Sequence, residues 1–256
     1  MQLPTNPLKA KLTNPGICAG IWASFASTAT VEALAHSSYD WMLIDMEHAP
    51  IDLALLHHQL AAATGGTCQP VVRPPWCDMV TVKRLMDLGV QSFMFPMIDT
   101  PEQARHAVSF TRYPPLGVRG IAGGTRATHY GRVTNYLATA HTQVCVVVQI
   151  ESPSAVRHAQ AICAVDGVDA AFIGPNDLAA SMGYPGQLDH PDVQAAITEA
   201  LAGIRAAGKA AGILATSVQD AQRYLARGAT FIACGSDVRL LTQAADAMGT
   251  ALKALV

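Results

Sequence analysis

The sequence predicts an α/β fold of one kind, a single (β/α)8 barrel in which helices surround a closed ring of parallel strands. Three observations point to it. The chain has 256 residues, the usual length of one such barrel. Eight short apolar runs recur along it, with helix-like segments between them. The runs are continuously apolar rather than alternating, which is typical of strands buried on both faces of a parallel sheet.

The predicted strands and helices alternate along the whole chain. The strands are GIWASF (20–25), YDWMLIDME (39–47), QPVVRP (69–74), QSFMFPMI (91–98), VCVVVQIE (144–151), DAAFIGPND (169–177), AAGILA (210–215) and ATFIACGSD (229–237). The helices include VEALAH (31–36), VTVKRLMDLG (80–89), TPEQARHAVSFTRY (100–113), SPSAVRHAQAICA (152–164), PDVQAAITEALAGIRAAG (191–208) and SVQDAQRYLARG (217–228). Capping residues such as Thr100 open several helices, and glycines such as Gly208 close them. A last Ala-rich helix has an apolar face long enough to pack on the barrel or on a neighbouring subunit.

Nothing in the sequence divides the chain, so residues 1–256 are predicted to form one TIM-barrel domain. An open, doubly wound sheet is the alternative architecture. However, no GxGxxG motif follows the first strand, and no Walker motif occurs anywhere. The glycine cluster at Gly120–Gly124 lies in a long connection between about Tyr113 and Thr134, away from a strand–helix turn. The barrel is therefore the favoured fold.

The composition excludes several classes of protein. Half of the residues are apolar and 14% are charged, against roughly 25% in an average globular protein, which excludes a disordered or coiled-coil chain. The net charge of -2 offers no general attraction for nucleic acid or an anionic membrane. The sequence shows no secretory signal, no apolar stretch of roughly 18 residues and no CxxC pair. We expect a cytoplasmic protein with reduced, structural cysteines.

Polar residues follow the apolar runs at several strand ends. The second strand ends in Asp45, Glu47 and His48, the third in Arg73, the fifth in Gln149 and Glu151, and the sixth in Gly174, Pro175, Asn176 and Asp177. In a TIM barrel the active site is built at the carboxyl ends of the strands. These residues are therefore the candidates for binding and catalysis.

Glu151 and Asp177 end neighbouring strands, which predicts two carboxylates side by side at the mouth of the barrel. Carboxylate oxygens with no thiolate nearby suit a hard divalent cation, which keeps open positions for water and an oxygen-bearing substrate. The alternative is that the two carboxylates pair with basic side chains or cap the helices that follow them. The residues alone leave both interpretations open.

Arg73 and His48 also allow two interpretations each. A guanidinium at the mouth of the barrel can neutralise an enolate or a carboxylate, but it can equally form an internal ion pair with one of the acidic groups. The imidazole of His48 can act as a general base near neutral pH, or it can be a hydrogen-bonded core residue.

Five motifs resemble the metal-dependent pyruvate aldolases of the HpcH/HpaI family, namely LIDMEHAP, QPVVRP, RYPPLGVRG, VVVQIESP and FIGPNDLAASMGYPG. The resemblance extends from Gly20 to the last helix. It implies retro-aldol cleavage of a 4-hydroxy-2-oxo acid, such as 4-hydroxy-2-oxoheptanedioate, to pyruvate and an aldehyde, such as succinate semialdehyde. No strand ends in a lysine that could form a Schiff base, since Lys83 and Lys209 lie in or beside helices, which argues against a class I aldolase.

The resemblance assigns a role to each matching residue. It makes Glu151 and Asp177 the ligands of Mg²⁺, Mn²⁺ or Co²⁺, and Gln149 a contact to pyruvate. It makes Arg73 the enolate stabiliser and His48 the proton acceptor. It further makes Asp87 the carboxylate that raises the basicity of His48, and Trp22 a neighbour of the site. Without the resemblance, Asp87 would be a solvated helix residue and Trp22 a core residue. Asn176 departs from the family, whose members often carry serine or alanine there and use the backbone amide for pyruvate, so a different pocket rim is expected.

The resemblance also implies a homo-oligomer in which the C-terminal helix is exchanged between subunits, commonly a hexamer built as a trimer of dimers. The alternatives are an aldolase for 2-keto-3-deoxy sugar acids, a citrate-lyase-like enzyme acting on a CoA thioester, and a catalytically silent barrel subunit. Four arginines of the long connection could bind a second substrate carboxylate or form surface ion pairs, namely Arg112, Arg119, Arg126 and Arg132.

Overall fold

The computed structural model describes residues 1–14 and 16–255, and in it eight parallel strands close into a barrel in chain order. The strands are β1 (Cys18–Ala23), β2 (Trp41–Asp45), β3 (Gln69–Arg73), β4 (Ser92–Phe95), β5 (Cys145–Ile150), β6 (Ala170–Ile173), β7 (Ala210–Ala215) and β8 (Phe231–Ser236). Closure is direct, because β1 pairs with both β2 and β8. The predicted barrel is confirmed, and the open doubly wound sheet is excluded.

Eleven α-helices occur in the described residues, one before β1, one after β8 and the others between strands on the outside of the barrel. They are α1 (Pro7–Leu12), α2 (Thr28–Ala35), α3 (Leu53–Ala62), α4 (Met79–Asp87), α5 (Pro101–Thr111), α6 (Tyr136–Thr139), α7 (Pro153–Cys163), α8 (Pro175–Ser181), α9 (Pro191–Ala206), α10 (Val218–Ala226) and α11 (Asp237–Lys253). Side-chain caps fix many of the starts. For example, Ser152 accepts from the amide of Ala155 before α7, and Thr100 forms a full capping box with Gln103 before α5.

Side chains alternate along each strand between the barrel interior and the layer under the helices. The interior is filled by aliphatic side chains and a cluster of aromatic rings, in which the rings of Trp41 and Phe231 stack with centroids 4.3 Å apart. Gly20 makes room for this packing, since a Cβ there would lie 2.0 Å from the indole of Trp41. The alternation directs Asp45 inward with Trp41, which carries polar residues to the mouth of the barrel.

The end of the barrel opposite the mouth is closed by α1, an element that the sequence analysis did not predict. Leu8 is buried within the interior cluster. The Asn6 side chain donates to Ser92 Oγ over 2.9 Å and accepts from the amide of Lys9 over 3.1 Å. These contacts attach the N-terminal segment to the start of β4 and leave the mouth as the open end.

The last helix, α11, leaves the barrel almost at once. Asp237 at its start accepts from the amides of Ser24 and Phe25 over 2.9 and 3.1 Å, which fixes the helix to the end of β1. Beyond this turn its apolar side chains are exposed, including Leu241 at 60% and Met248 at 67%. The helix therefore does not pack along its own barrel.

All six cysteines are free. Within the described residues, no helix is both long enough and apolar enough to cross a membrane.

Candidate active site

A cavity of about 260 Å³ lies at the mouth of the barrel. Its walls come from six strands or the residues that directly follow them, and from the first turn of α8. They consist of Trp22, His48, Arg73, Gln149, Glu151, Phe172, Gly174, Pro175, Asn176, Asp177 and Leu214. Seven of the eight residues predicted to form the site line this cavity. The exception is Asp87.

Arg73 is held in a fixed orientation by two carboxylates of the preceding strand end. Its Nε and Nη2 donate to the two carboxylate oxygens of Asp45 over 3.0 and 2.8 Å, and its Nη1 lies 3.0 Å from Glu47. Parallel pairing places Asp45 beside Arg73 in register, which explains the contact. Burial acts to lower the pKa of Arg73, but Asp45 and Glu47 outweigh burial and the net shift is upward.

The internal ion pair considered for Arg73 is therefore present, and the guanidinium still lines the cavity. The two interpretations of this residue are compatible, since a rigidly held cation is what an active site needs to stabilise developing negative charge without reorganisation. The same guanidinium carbon lies 5.7 Å from the centre of the Trp22 ring.

Within one chain, the imidazole of His48 lies beside the carboxylate of Glu47. This carboxylate lies 3.8 Å from Nε2 of His48, whose side chain is 66% exposed at the cavity rim. Burial raises the pKa of Glu47, Arg73 and His48 oppose that shift, and Asp45 and Asp177 add to it. Because the imidazole is exposed, His48 is a residue of the cavity rim and not of the core.

Glu151 is a buried carboxylate, 3% exposed, at the end of β5. Its two oxygens accept from the amide of Met97 over 3.0 Å and from the side chain of Gln149 over 2.8 Å. Burial is the main cause of an upward shift that brings its pKa to about 7, and the negative charges of Asp177 and Glu47 contribute further. The negative charge of Glu151 is therefore incompletely compensated, although Arg73 partly opposes the upward shift of its pKa.

Asp177 lies in the first turn of α8, where Pro175 starts the helix directly after β6. Among the described residues its carboxylate makes neither a hydrogen bond nor an ion pair, so it pairs with no basic side chain and caps no amide, although its place in the first turn is favourable for an acidic residue. Gly174 leaves the space that brings the two acidic residues together, because a Cβ at this position would lie 2.4 Å from Oε1 of Glu151.

The pair Glu151 and Asp177 fits a hard divalent cation. A buried carboxylate with a raised pKa and a second, unengaged carboxylate provide oxygen ligands and uncompensated negative charge. Nowhere in residues 1–14 and 16–255 do three or more His, Cys, Asp or Glu side chains form a group that could hold a metal. A cation at this pair would therefore complete its coordination with water and substrate oxygens.

Two amide side chains complete the polar wall. Gln149 is 1% exposed, and its Oε1 has no hydrogen-bond partner among the described residues. A buried acceptor without a partner in a cavity wall is a candidate contact for a ligand. Asn176 lies on the exposed first turn of α8, and its side chain makes no hydrogen bond within the described chain.

Asp87 is not brought to His48 within one chain. It ends α4, which runs from the mouth of the barrel towards the opposite end, and its carboxylate pairs with the buried Arg119 over 2.8 Å. The expected contact between Asp87 and His48 is therefore absent inside a single described chain, because the two residues lie at opposite ends of the barrel.

The four arginines of the long connection also lie away from the cavity. Arg119 binds Asp87, Arg112 pairs with Asp166 over 3.0 Å, and Arg126 donates to the carbonyl of Leu88 over 2.7 Å. Arg132 donates to the carbonyl of His129 over 3.0 Å. A larger cavity of about 410 Å³ includes Arg126, but it lies at the opposite end of the barrel and contains none of the strand-end residues.

Sequence reasoning missed part of the wall. Asp45 and Glu47 were recognised as strand-end acids but not as the pair that holds Arg73, although adjacent parallel strands already imply that contact. Phe172 and Leu214 line the cavity from β6 and β7. Their apolar type gave no signal that distinguishes a site residue from a core residue.

Comparisons with known proteins identify the family of the chain. The family model described as HpcH/HpaI aldolase/citrate lyase matches residues 19–244. A hydroxypyruvate/pyruvate aldolase from Delftia acidovorans is 51% identical over 246 residues, covering 96% of this chain and 91% of that protein. A 2-keto-3-deoxy-L-rhamnonate aldolase from Klebsiella pneumoniae is 48% identical, covering 95% and 92%. A crystal structure of an HpcH/HpaI aldolase/citrate lyase family protein from Burkholderia cenocepacia superposes with a TM-score of 0.95 at 42% identity, covering 97% and 100%.

The raised pKa of Glu151 predicts how stability depends on pH in metal-free protein. A carboxyl whose pKa is higher in the folded state binds more protons folded than unfolded, so stability falls as pH rises from about 4.5 to about 7. We expect chelator-treated protein to lose on the order of 3 kcal/mol of unfolding free energy through this group between pH 5 and pH 8. Denaturant titrations across that range measure the loss.

Glu151→Gln should remove this part of the pH dependence, and added divalent cation should restore stability more at pH 8 than at pH 5. Glu102→Gln is the matched control, because Glu102 is a 70% exposed residue of α5. An unchanged pH dependence in Glu151→Gln would show that Glu151 is not the uncompensated group.

Proposed function

The chain belongs to the HpcH/HpaI aldolase/citrate lyase family and is an aldolase, a carbon–carbon lyase, and we propose that it cleaves a 4-hydroxy-2-oxo acid reversibly to pyruvate and an aldehyde. The observation that supports this most strongly is the meeting of Glu151, Asp177 and the clamped Arg73 in one cavity. That combination offers a cation site beside a fixed positive charge. Both are needed where a keto acid becomes an enolate.

Glu151 and Asp177 would hold a divalent cation, for which Mg²⁺, Mn²⁺ and Co²⁺ are the candidates. When bound, the cation would supply Lewis-acid chemistry that polarises the keto acid. Gln149 would orient the pyruvate part through its amide group, and Trp22 would close the cavity beside Arg73. Within the described residues the cavity wall contains no lysine, so an imine mechanism has no nucleophile there.

Arg73 would stabilise the oxygen that becomes negative when the carbon–carbon bond breaks. Its Nε and Nη2 donate to Asp45 and its Nη1 pairs with Glu47, so the guanidinium is held in position at the cavity wall. His48 would accept the proton of the substrate 4-hydroxyl at its exposed imidazole and return a proton in the reverse reaction. Asn176 would contribute to binding from the first turn of α8.

Asp87 would raise the basicity of His48 only if it comes from a second copy of the chain, since the two residues lie at opposite ends of one barrel. The exposed apolar face of α11 supports a homo-oligomer in which this helix is exchanged between subunits. A hexamer built as a trimer of dimers would bring several copies together in a closed arrangement. A cytoplasmic location and a single domain over residues 1–256 stay predictions.

Two substrate classes fit the proposed reaction. The first is 4-hydroxy-2-oxoheptanedioate, which would release succinate semialdehyde. The second is a 2-keto-3-deoxy sugar acid, which the name of the Klebsiella relative favours. A catalytically silent subunit is the remaining alternative, and the full set of polar residues in the cavity argues against it.

Release of pyruvate from a small panel of 4-hydroxy-2-oxo acids tests the proposed function directly. We expect activity to disappear with excess chelator and to return with Mg²⁺, Mn²⁺ or Co²⁺. Arg73→Ala should lower both aldol cleavage and oxaloacetate decarboxylation by roughly 100-fold or more, because both reactions pass through the enolate. His48→Ala should impair cleavage more than decarboxylation, since only cleavage removes a hydroxyl proton.

Circular dichroism of each variant controls for folding, because the loss of Arg73 leaves the buried carboxylate of Asp45 and the half-buried carboxylate of Glu47 without their partner. Full activity of native protein in chelator, or decarboxylation spared in Arg73→Ala, would contradict the proposed roles.

Coexpression of two impaired variants tests whether Asp87 acts across a subunit boundary. In mixed oligomers of His48→Ala and Asp87→Asn chains, about a quarter of the sites would combine an intact His48 with an intact Asp87 from a neighbour. We expect activity to recover to that extent. The control mixture is His48→Ala with Arg73→Ala, whose residues belong to one chain's site and cannot complement. A site shared between subunits would be excluded if neither mixture recovered activity.

A further inference from the structure

We propose that Arg119 is a positioning residue of the reaction, which binds one carboxylate oxygen of Asp87 and so presents the other oxygen to His48 of a second copy of the chain. The inference rests on the proposed function and deepens it, because it names the group that fixes Asp87 where two copies meet. Arg119 lies in the long connection that follows α5, and Asp87 ends α4.

The guanidinium of Arg119 is sealed inside the protein. Its side chain is fully buried, which is rare for a charged residue. The rings of Tyr113 and Tyr136 cover it, with centroids 4.4 and 5.8 Å from the guanidinium carbon, and such contacts stabilise a cation. Asp87 is the single acidic group that pairs with it among the described residues, and its Oδ1 accepts from Nη2 over 2.8 Å.

Asp87 cannot turn away from Arg119 without a cost in free energy. Nε and Nη1 of Arg119 are buried and have no hydrogen-bond partner among the described residues. A buried cation is strongly destabilising when its ionised partner is removed. The carboxylate therefore has one favoured place, at Nη2, and the burial of Arg119 fixes it there.

The other oxygen of Asp87 is open to the outside. Oδ2 accepts no hydrogen bond from the described residues, and the side chain is 24% exposed. Three apolar side chains of the same connection are also exposed, namely Leu116, Val118 and Ile121. Exposed apolar residues beside a polar group are typical of a surface that another protein covers. A second copy of the chain fits this surface, because the exposed imidazole of His48 offers Asp87 a partner of complementary chemistry.

A fixed Asp87 matters because the proposed cleavage depends on the geometry of the base. A carboxylate orients an imidazole only while the two groups stay in contact. Without Arg119 the carboxylate would be free to turn to solvent or to Lys83, which lies one turn earlier on α4 at a spacing that lets side chains meet. Misplacement by roughly 1 Å can cost on the order of 100-fold in rate.

A double-mutant cycle tests whether Arg119 acts through Asp87, with the full-length enzyme and Mn²⁺ present throughout. Arg119→Met should lower kcat for aldol cleavage by roughly tenfold or more through misplacement of Asp87, with KM near its native value. Oxaloacetate decarboxylation should be unchanged, since it removes no hydroxyl proton. In the Asp87→Asn background the same substitution should add no further loss. Arg112→Met is the matched control, because Arg112 pairs with the exposed Asp166 in place of Asp87, and neither reaction should change.

Mixed oligomers test on which side of the subunit boundary Arg119 acts. Arg119→Met chains coexpressed with His48→Ala chains should recover activity in about a quarter of the sites, as expected for Asp87→Asn chains. Arg119→Met chains coexpressed with Asp87→Asn chains should recover none, because neither chain carries an intact pair of Arg119 and Asp87.

Circular dichroism controls for folding. If Arg119→Met does not fold, Arg119→Lys replaces it in both experiments, since lysine keeps the charge but not the planar fork, and a smaller loss of cleavage in the same direction is expected. Equal losses in cleavage and decarboxylation, additive losses in the double variant, or recovery in the mixture with Asp87→Asn would each overturn the inference. Native enzyme that releases no pyruvate and decarboxylates no oxaloacetate would overturn the proposed function as well.

Discussion

The site depends on how a few buried charges share the mouth of the barrel. Arg73 compensates Asp45 and Glu47, while burial raises the pKa of Glu151 to about 7 beside an unengaged Asp177. Burial of an uncompensated carboxylate is costly unless a positive partner arrives. The barrel thus holds the guanidinium of Arg73 rigidly and leaves Glu151 and Asp177 available to bind a second cation. All three residues line one cavity.

The fold supplies this arrangement through simple geometry. Period-two alternation directs residues of one parity inward along each parallel strand, so Asp45, Arg73 and Gln149 share the interior with the aromatic core. Aromatic packing and α1 fill the barrel below them, which leaves the mouth as the end where polar groups can accept a ligand. The continuation of β6 into α8 then adds Asp177 beside Glu151.

Most of this could be predicted from the sequence, because it depends on local pattern. Continuous apolar runs identified the eight strands, and charged residues at their ends identified most of the cavity wall. The position of Asp87 could not be predicted, since the motif match says which residue cooperates with His48 but not whether one chain brings them together. The direction of α11 was also left open, because an apolar face fits either the barrel or a neighbour. Phe172 and Leu214 look like any other core residues in a sequence.

The central claim is that Glu151 and Asp177 together hold a divalent cation beside Arg73. Anomalous scattering from crystals grown with Mn²⁺ and oxalate, a planar stand-in for the enolate of pyruvate, measures this directly. The account predicts one strong peak within about 2.5 Å of carboxylate oxygens of both residues, with oxalate completing the coordination. A peak held by other side chains, or none at this pair while the crystals contain ordered Mn²⁺ elsewhere, would contradict it.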